Sequence, residues 1–312
     1  MKVYENEAGY LALLQDIKDH GVYHPDRTSV GGCTKLFSRL LTFDLQESFP
    51  IHTLRLVSPR LGFEEYWAFM NGVVDIHNYL AERNVFFWEG NTTREFLDSR
   101  GLYQLPVGHL GKAYSAQYRN FGGDYTELSK KEGTFKPDFS TGYDQIKNTL
   151  EGLKNDPFGR RHLVSIWNPK QMKEMTLPPC FWAHNFMCMK RPDGGIDLNL
   201  KVYARSNDVL FGLSSNYQQF ALYLAAVAEY CGYTPRFLEI DITDAHVYEN
   251  QWEYVDELLA ERKPMGQKVK FKLNKKLETF DDFLSIKWED IDLEGYDYNR
   301  EKMKTPRPAM AV

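Results

Sequence analysis

The sequence predicts an α+β fold built as a single domain, and three observations carry that expectation. Helical and strand periodicities are mixed along the chain without a regular βαβ rhythm. Strand patterns dominate the C-terminal half. No repeat, low-complexity tract or composition break marks a linker anywhere in residues 1–312.

From the N-terminus, Leu11, Leu14 and Ile17 recur at helical spacing within Tyr10 to Ile17, and Pro25, Asp26 and Arg27 break the chain after this first helix. Phe63, Tyr66, Trp67 and Met70 mark a second helix, with Asn71-Gly72 as its C-terminal cap. Residues 91–136 are rich in glycine and polar side chains and read as loop, with a short helix near Arg94 to Asp98. Further on, His162 to Trp167 and Phe181 to Met189 are rich in β-formers. Ile196, Leu198, Leu200 and Val202 alternate with polar residues, the period of a strand buried on one face. Between these strands, residues 191–195 form a hairpin loop around Pro192 and Gly194. Tyr217, Phe220, Ala221, Leu224, Val227 and Ala228 predict a long buried helix, and Leu238, Ile240 and Ile242 alternate again as a strand.

Composition narrows the function. The chain is 43% hydrophobic and 14% aromatic, which is ample for a sizeable core. Its 26% of charged residues is the usual share for a soluble domain, and the net charge of -5 argues against a duplex-coating nucleic-acid binder. No window offers the roughly 18 apolar residues of a membrane span, and Met1 to Glu7 lack the apolar stretch expected of a signal peptide. A cytoplasmic address is expected by default. Four cysteines without a CxxC pair or a zinc-spaced cluster point to reduced thiols and no metal.

Cys180 differs in its setting. Leu177-Pro178-Pro179-Cys180 places it at the start of a strand, after two residues that cannot continue a helix. Cysteine reactivity is thiolate chemistry and needs a nearby cation. Arg205 ends the alternating strand that should pair with the one starting at Cys180, within reach of the sulfur. A lone cysteine beside a strand is more often a buried apolar filler, and Cys33, Cys188 and Cys231 keep that reading. For Cys180 the order of motifs overturns it. Asp156 to Arg161, Leu177 to Cys180, Arg205 to Asp208, Gly212 to Asn216 and Asp244 to Tyr248 follow one another in a series that resembles the signature of the thymidylate synthase superfamily. Upstream, Asp26 to Thr28, Glu64-Glu65, Asn84 to Trp88, Arg94 to Asp98 and Leu110 to Tyr114 match in order. The resemblance runs from about Asp26 to the terminal Met310-Ala311-Val312.

The resemblance implies a three-layer fold with a large mixed sheet packed at a homodimer interface. It implies transfer of a one-carbon unit to carbon 5 of a pyrimidine nucleoside monophosphate, with 5,10-methylenetetrahydrofolate as cosubstrate. Cys180 would be the nucleophile, adding to ring carbon 6 and turning the ring into an enolate. Glu65 would manage protons through water, and Tyr114 would help remove the proton from carbon 5. Arg27, Arg205 and Ser206 would hold the phosphate, joined by Arg160 and Arg161 from the neighbouring subunit. His246 and Tyr248 would hold the ribose hydroxyl. Asn216 would read the base, since a carboxamide offers a donor and an acceptor to uracil's ring N–H and carbonyl. Arg55, Trp88, Asp208 and Val312 would contact the folate. For Glu65, Trp88 and the arginine pair, solvated surface or core roles are the competing readings.

Several positions depart from the family pattern. Phe181 stands where most members have histidine, Asn185 and Ala204 where they have glutamine, and Ser214-Ser215 where they have proline and phenylalanine. Thr53 to Leu56 replaces a threonine, threonine, lysine, arginine loop. Arg205 to Gly212 is similar to the phage deoxycytidylate hydroxymethylase branch, which carries aspartate at the Asn216 position; the asparagine points to uracil. The leading expectation is reductive methylation of dUMP to dTMP, with hydroxymethylation of dUMP or dCMP and an inactive nucleotide- or RNA-binding relative as the alternatives. Water exclusion divides the first two.

Overall fold

The computed structural model describes residues 7–26 and 30–297. Among these, the helices are α1 Ala8–His20, α2 Pro59–Met70, α3 Ile76–Ala81, α4 Arg94–Ser99, α5 Tyr114–Arg119, α6 Glu127–Glu132, α7 Gln145–Asn155, α8 Ser214–Cys231, α9 Trp252–Glu261 and α10 Phe280–Leu284. The strands are β1 Val22–His24, β2 Cys33–Asp44, β3 Leu163–Ser165, β4 Phe181–Lys190, β5 Ile196–Ala204, β6 Asn207–Asp208, β7 Thr234–Tyr248, β8 Lys270–Leu273 and β9 Ile291–Glu294.

Seven strands form one mixed sheet in the order β1-β2-β7-β5-β4-β3, with β6 beside β7. The β4–β5 hairpin closes through the predicted turn at 191–195, where Asp193 Oδ1 accepts the Gly195 N–H at 2.9 Å. Strands β5 and β7 are parallel, so the chain must cross over between them, and α8 is that crossover. The expected α+β class and large mixed sheet are what the structure has.

Helix α8 is the centre of the core. Every residue from Tyr217 to Ala228 is buried, because α2 and α7 flank a helix that already lies on β5 and β7. Gly232 ends it in a left-handed conformation, φ 72°. On β4 the side chains of His184 and Phe186 turn inward to Tyr223 of α8, at ring distances of 5.4 and 5.5 Å. Leu163, Met187 and Met189 fall on the other face of the sheet and are 51 to 53% exposed.

Three elements differ from the sequence reading. Strand β2 runs for 12 residues along β7 although no alternation marks it; its middle is exposed, and Ser38 sits at φ 54°. The stretch read as loop also holds α5 and α6 at six residues each, too short to show a helical period. Around His162 to Trp167 only Leu163–Ser165 pairs as a strand.

Candidate active site

Cys180 lies one residue before β4. Antiparallel pairing sets Phe181 opposite Ala204, so Arg205, the next residue after β5, lands beside the cysteine. The Arg205 N–H donates to the Cys180 carbonyl at 2.9 Å. Its guanidinium donates to the Pro179 and Pro178 carbonyls, each at 2.9 Å, and lies 3.7 Å from the Cys180 sulfur. Pro178 and Pro179 precede β4 and lie outside its ladder, so their carbonyls are open, and arginine's planar fork suits a pair of acceptors. On the other side, the Cys180 N–H donates to the Tyr114 hydroxyl at 3.0 Å. Tyr114 is stacked on Phe69 at 4.9 Å. Burial, with the Cys180 sulfur as the next cause, lifts the Tyr114 hydroxyl well above its ordinary pKa. It therefore stays protonated at neutral pH.

Two cavities meet here. The first, about 250 Å³, is lined by Cys180, Tyr114, Trp88 and Ser206, with Phe181 and Phe220 as apolar walls. The second, about 380 Å³, is lined by Arg55, Leu61, Phe87, Phe211, Ser215 and Tyr248. Glu65, Asp208, Gly212 and Asn216 belong to both. This shared wall is where two bound molecules would touch.

Glu65 projects from α2 into a set of donors. Trp88 Nε1 donates to Oε1 at 2.7 Å and Gln219 Nε2 donates to Oε2. Burial raises its carboxyl above the ordinary glutamate pKa, and the Gln219 and Trp88 hydrogen bonds pull the other way. Glu64, next in sequence, pairs instead with Arg83 at 3.4 Å on the outer side of α2. Asn216 Nδ2 donates to Gln219 Oε1 at 3.0 Å, and Asn207 Nδ2 donates to Asn216 Oδ1 at 3.2 Å.

Asp208 opens the π-helical turn Val209–Leu213 by accepting the Phe211 N–H at 3.2 Å, and its other oxygen accepts from Gln251 at 2.9 Å. Arg55 is buried; its Nη2 donates to the Leu210 and Phe211 carbonyls at 2.7 and 3.1 Å and to Ser214 Oγ. Ser214 thus holds a turn whose wide winding frees carbonyls. The Arg55 segment is itself pinned by Glu7, whose carboxylate accepts the Thr53 and Leu54 N–H groups and the Thr53 hydroxyl. Glu7→Ala would leave two buried N–H donors unpaired, so it is expected to lose roughly 2–5 kcal/mol in urea unfolding. A loss below the error of that measurement would mean the segment finds other partners.

The structure thus brings Cys180, Glu65, Tyr114, Arg205, Ser206, Asn216, Asp208, Arg55 and Tyr248 to one pair of cavities. Trp88 opens on the cysteine cavity rather than the larger one. His246 is buried on β7, with Nδ1 at 3.1 Å from Asp244 Oδ1 and its ring edge-on to Tyr248 at 5.0 Å. Arg160 and Arg161 are exposed in the segment between α7 and β3, and neither lines either cavity. Arg27 and Val312 lie outside the described residues. Among the departures, Phe181 packs on Phe220 at 5.0 Å, Ala204 is core, and Asn185 leaves a buried Oδ1 without a hydrogen-bond partner. Sequence reasoning passed over Gln219, although it stands three residues after Asn216 and so shares its helix face. No group of three or more metal-ligating side chains gathers among the described residues, and no helix there is long and apolar enough to cross a membrane.

Comparison with known proteins agrees with this geometry. The sequence profile of the family described as thymidylate synthase matches residues 8–307. A bifunctional dihydrofolate reductase-thymidylate synthase of Zea mays is 34% identical over 291 residues, 93% of this chain and 52% of the relative. A protein of the same name from Plasmodium chabaudi is 36% identical over 278 residues, 89% of this chain and 45% of the relative. A probable thymidylate synthase of Schizosaccharomyces pombe is 34% identical over 303 residues, 96% of this chain and 47% of the relative. The chain spans about half the length of these relatives. With a profile match over almost its whole length, the chain belongs to the thymidylate synthase family.

Proposed function

We propose that this protein methylates dUMP reductively to dTMP, with 5,10-methylenetetrahydrofolate as cosubstrate. One observation carries the reading: a cysteine sulfur 3.7 Å from a guanidinium opens on a cavity that shares a wall of Glu65 and Asn216 with a second, larger one. Two substrates that must react with each other need such a shared wall.

The nucleotide ring takes the first cavity, with Arg205 and Ser206 toward its phosphate and Asn216 at the base edge; the family resemblance adds His246 and Tyr248 for the ribose, of which Tyr248 lines the larger cavity and His246 lines neither. Arg27 joins the phosphate set by family resemblance. The Cys180 sulfur bonds to carbon 6, and the displaced electron pair moves to the carbonyl oxygen as an enolate. Carbon 5 then takes up the methylene, and loss of its proton, with the help of the Tyr114 hydroxyl, breaks the bond from that methylene to the folate nitrogen and leaves an exocyclic methylene. Glu65 serves the exocyclic oxygen and the folate through water. Cys180 leaves with its bonding pair, and a hydride completes the methyl group. The folate supplies the methylene and that hydride and departs as dihydrofolate. The larger cavity suits a flat heteroaromatic ring, with Leu61, Phe87 and Phe211 as walls and the Asp208 carboxylate as a polar anchor. Arg55, Trp88 and the terminal Val312 complete the folate contacts proposed here, and no metal takes part.

Residues 1–312 are read as one domain that works as a homodimer in the cytoplasm. The exposed Leu163, Met187 and Met189 on the outer face of the sheet support the dimer. So do Arg160 and Arg161, which stand outside their own subunit's cavities and would reach the neighbour's.

The decisive experiment incubates the protein with dUMP and methylenetetrahydrofolate. The rise in dihydrofolate absorbance and a product mass one methyl group heavier are expected, from a species eluting as a dimer. A hydroxymethyl product with unoxidised folate would replace the reading by hydroxymethylation. No turnover of either kind would leave a binding relative.

A further inference from the structure

The line of amides from Glu65 to Asn207 has a polarity, and one residue fixes it. A carboxamide donates only through nitrogen and accepts only through oxygen. Gln219 Nε2 faces two groups that accept, the Gly62 carbonyl at 3.2 Å and the Glu65 carboxylate. Turning this amide over would set its oxygen against both. Gly62 makes the approach possible, since a Cβ there would lie 2.8 Å from Gln219 Cγ. With its nitrogen so committed, Gln219 offers Asn216 only an oxygen, and Asn216 must answer with its NH2.

That leaves Asn216 with one unshared N–H and one open lone pair, in a fixed order. The carbonyl and ring N–H of uracil match that order. The amine and ring nitrogen of cytosine require the opposite one. Inverting Asn216 would set its oxygen against the Gln219 oxygen. Asn207 offers no such resistance, because its Oδ1 is buried without a hydrogen-bond partner and the amide can turn over together with Asn216. Gln219 is buried, at 3% exposed, and its amide contacts are all with protein groups.

We propose that Gln219 is a specificity-determining positioning residue. It holds the Asn216 carboxamide in the orientation that accepts uracil and refuses cytosine. The inference rests on the reading of the cysteine cavity as a pyrimidine nucleotide site.

The test compares the parent protein with Gln219→Met and Gln219→Glu, by kcat/KM and by calorimetric binding of dUMP and dCMP. Methionine fills the space without polarity, and the ratio of dUMP to dCMP preference is expected to fall at least about tenfold. A structural loss would weaken both nucleotides together and leave the ratio in place. Glutamate still accepts from Asn216, so Gln219→Glu is expected to keep the ratio within a few-fold. In that variant a second carboxyl beside Glu65 displaces the acidic limb of the pH profile to higher pH. An unchanged ratio in Gln219→Met, or a lost one in Gln219→Glu, overturns the inference while the functional reading stands. A parent protein that binds neither nucleotide overturns both.

Discussion

Cys180→Ser is expected to bind dUMP within a few-fold of the parent and to turn it over slower by roughly 10⁴-fold or more. The two halves of that result have separate causes. Binding survives because the sulfur positions nothing. The chain around it is held by the Cys180 N–H on Tyr114, the Arg205 N–H on the Cys180 carbonyl, and the Arg205 guanidinium on two proline carbonyls. A serine accepts all of these unchanged. Turnover is lost because a serine hydroxyl is a far weaker nucleophile than a cysteine sulfur in the same place, 3.7 Å from the Arg205 guanidinium. Intact-protein mass after mixing with 5-fluoro-dUMP and methylenetetrahydrofolate reads the step directly. The parent should carry a covalent adduct and the variant none. Turnover in the serine variant near the parent rate would remove covalent catalysis by this residue.

The Cys180–Arg205 pair was legible in the sequence because a hairpin converts spacing into contact. Once Phe181 begins one strand, Ala204 ends the next and a tight turn joins them, the residues flanking the open end must meet. Nothing similar marks β2. It is bound to β7 along its length, yet its middle has neither a buried face nor a regular backbone, so no period of two survives. Gln219 shows a different limit. Its place on the Asn216 face of α8 is local information, but its partner Glu65 lies 154 positions away on α2. Only packing of the two helices decides that this glutamine, a residue most at home on a surface, becomes the link between a carboxylate and a base-facing amide. Ser214 is read in the same way. Its departure from the family pattern was visible, while its work, holding Arg55 at a π-helical turn, depends on a loop that Glu7 pins from the chain's other end.

Glu65→Gln carries the second large effect, a fall in kcat of about 10²- to 10⁴-fold, the span that general acid–base groups supply. Two features of its surroundings make the loss specific. Both oxygens of Glu65 face donors, and glutamine has one acceptor to offer where Trp88 and Gln219 ask for two. The carboxyl is also held above the ordinary glutamate pKa, first by burial, so in the parent its titration belongs to the acidic limb of the pH–rate profile and sits nearer neutrality than a solvated carboxylate would. The sign of the next step follows. A hydrogen bond donated to the carboxylate favours the charged form and lowers its pKa, so removing a donor raises it. Trp88→Phe keeps the aromatic contact with Tyr114 and deletes one donor. That limb should therefore move further toward alkaline pH in Trp88→Phe, and vanish in Glu65→Gln. A limb that stays put in the first variant, or persists in the second, belongs to some other group, and Glu65 would then be a hydrogen-bonding anchor for Trp88 and Gln219 rather than a carrier of protons.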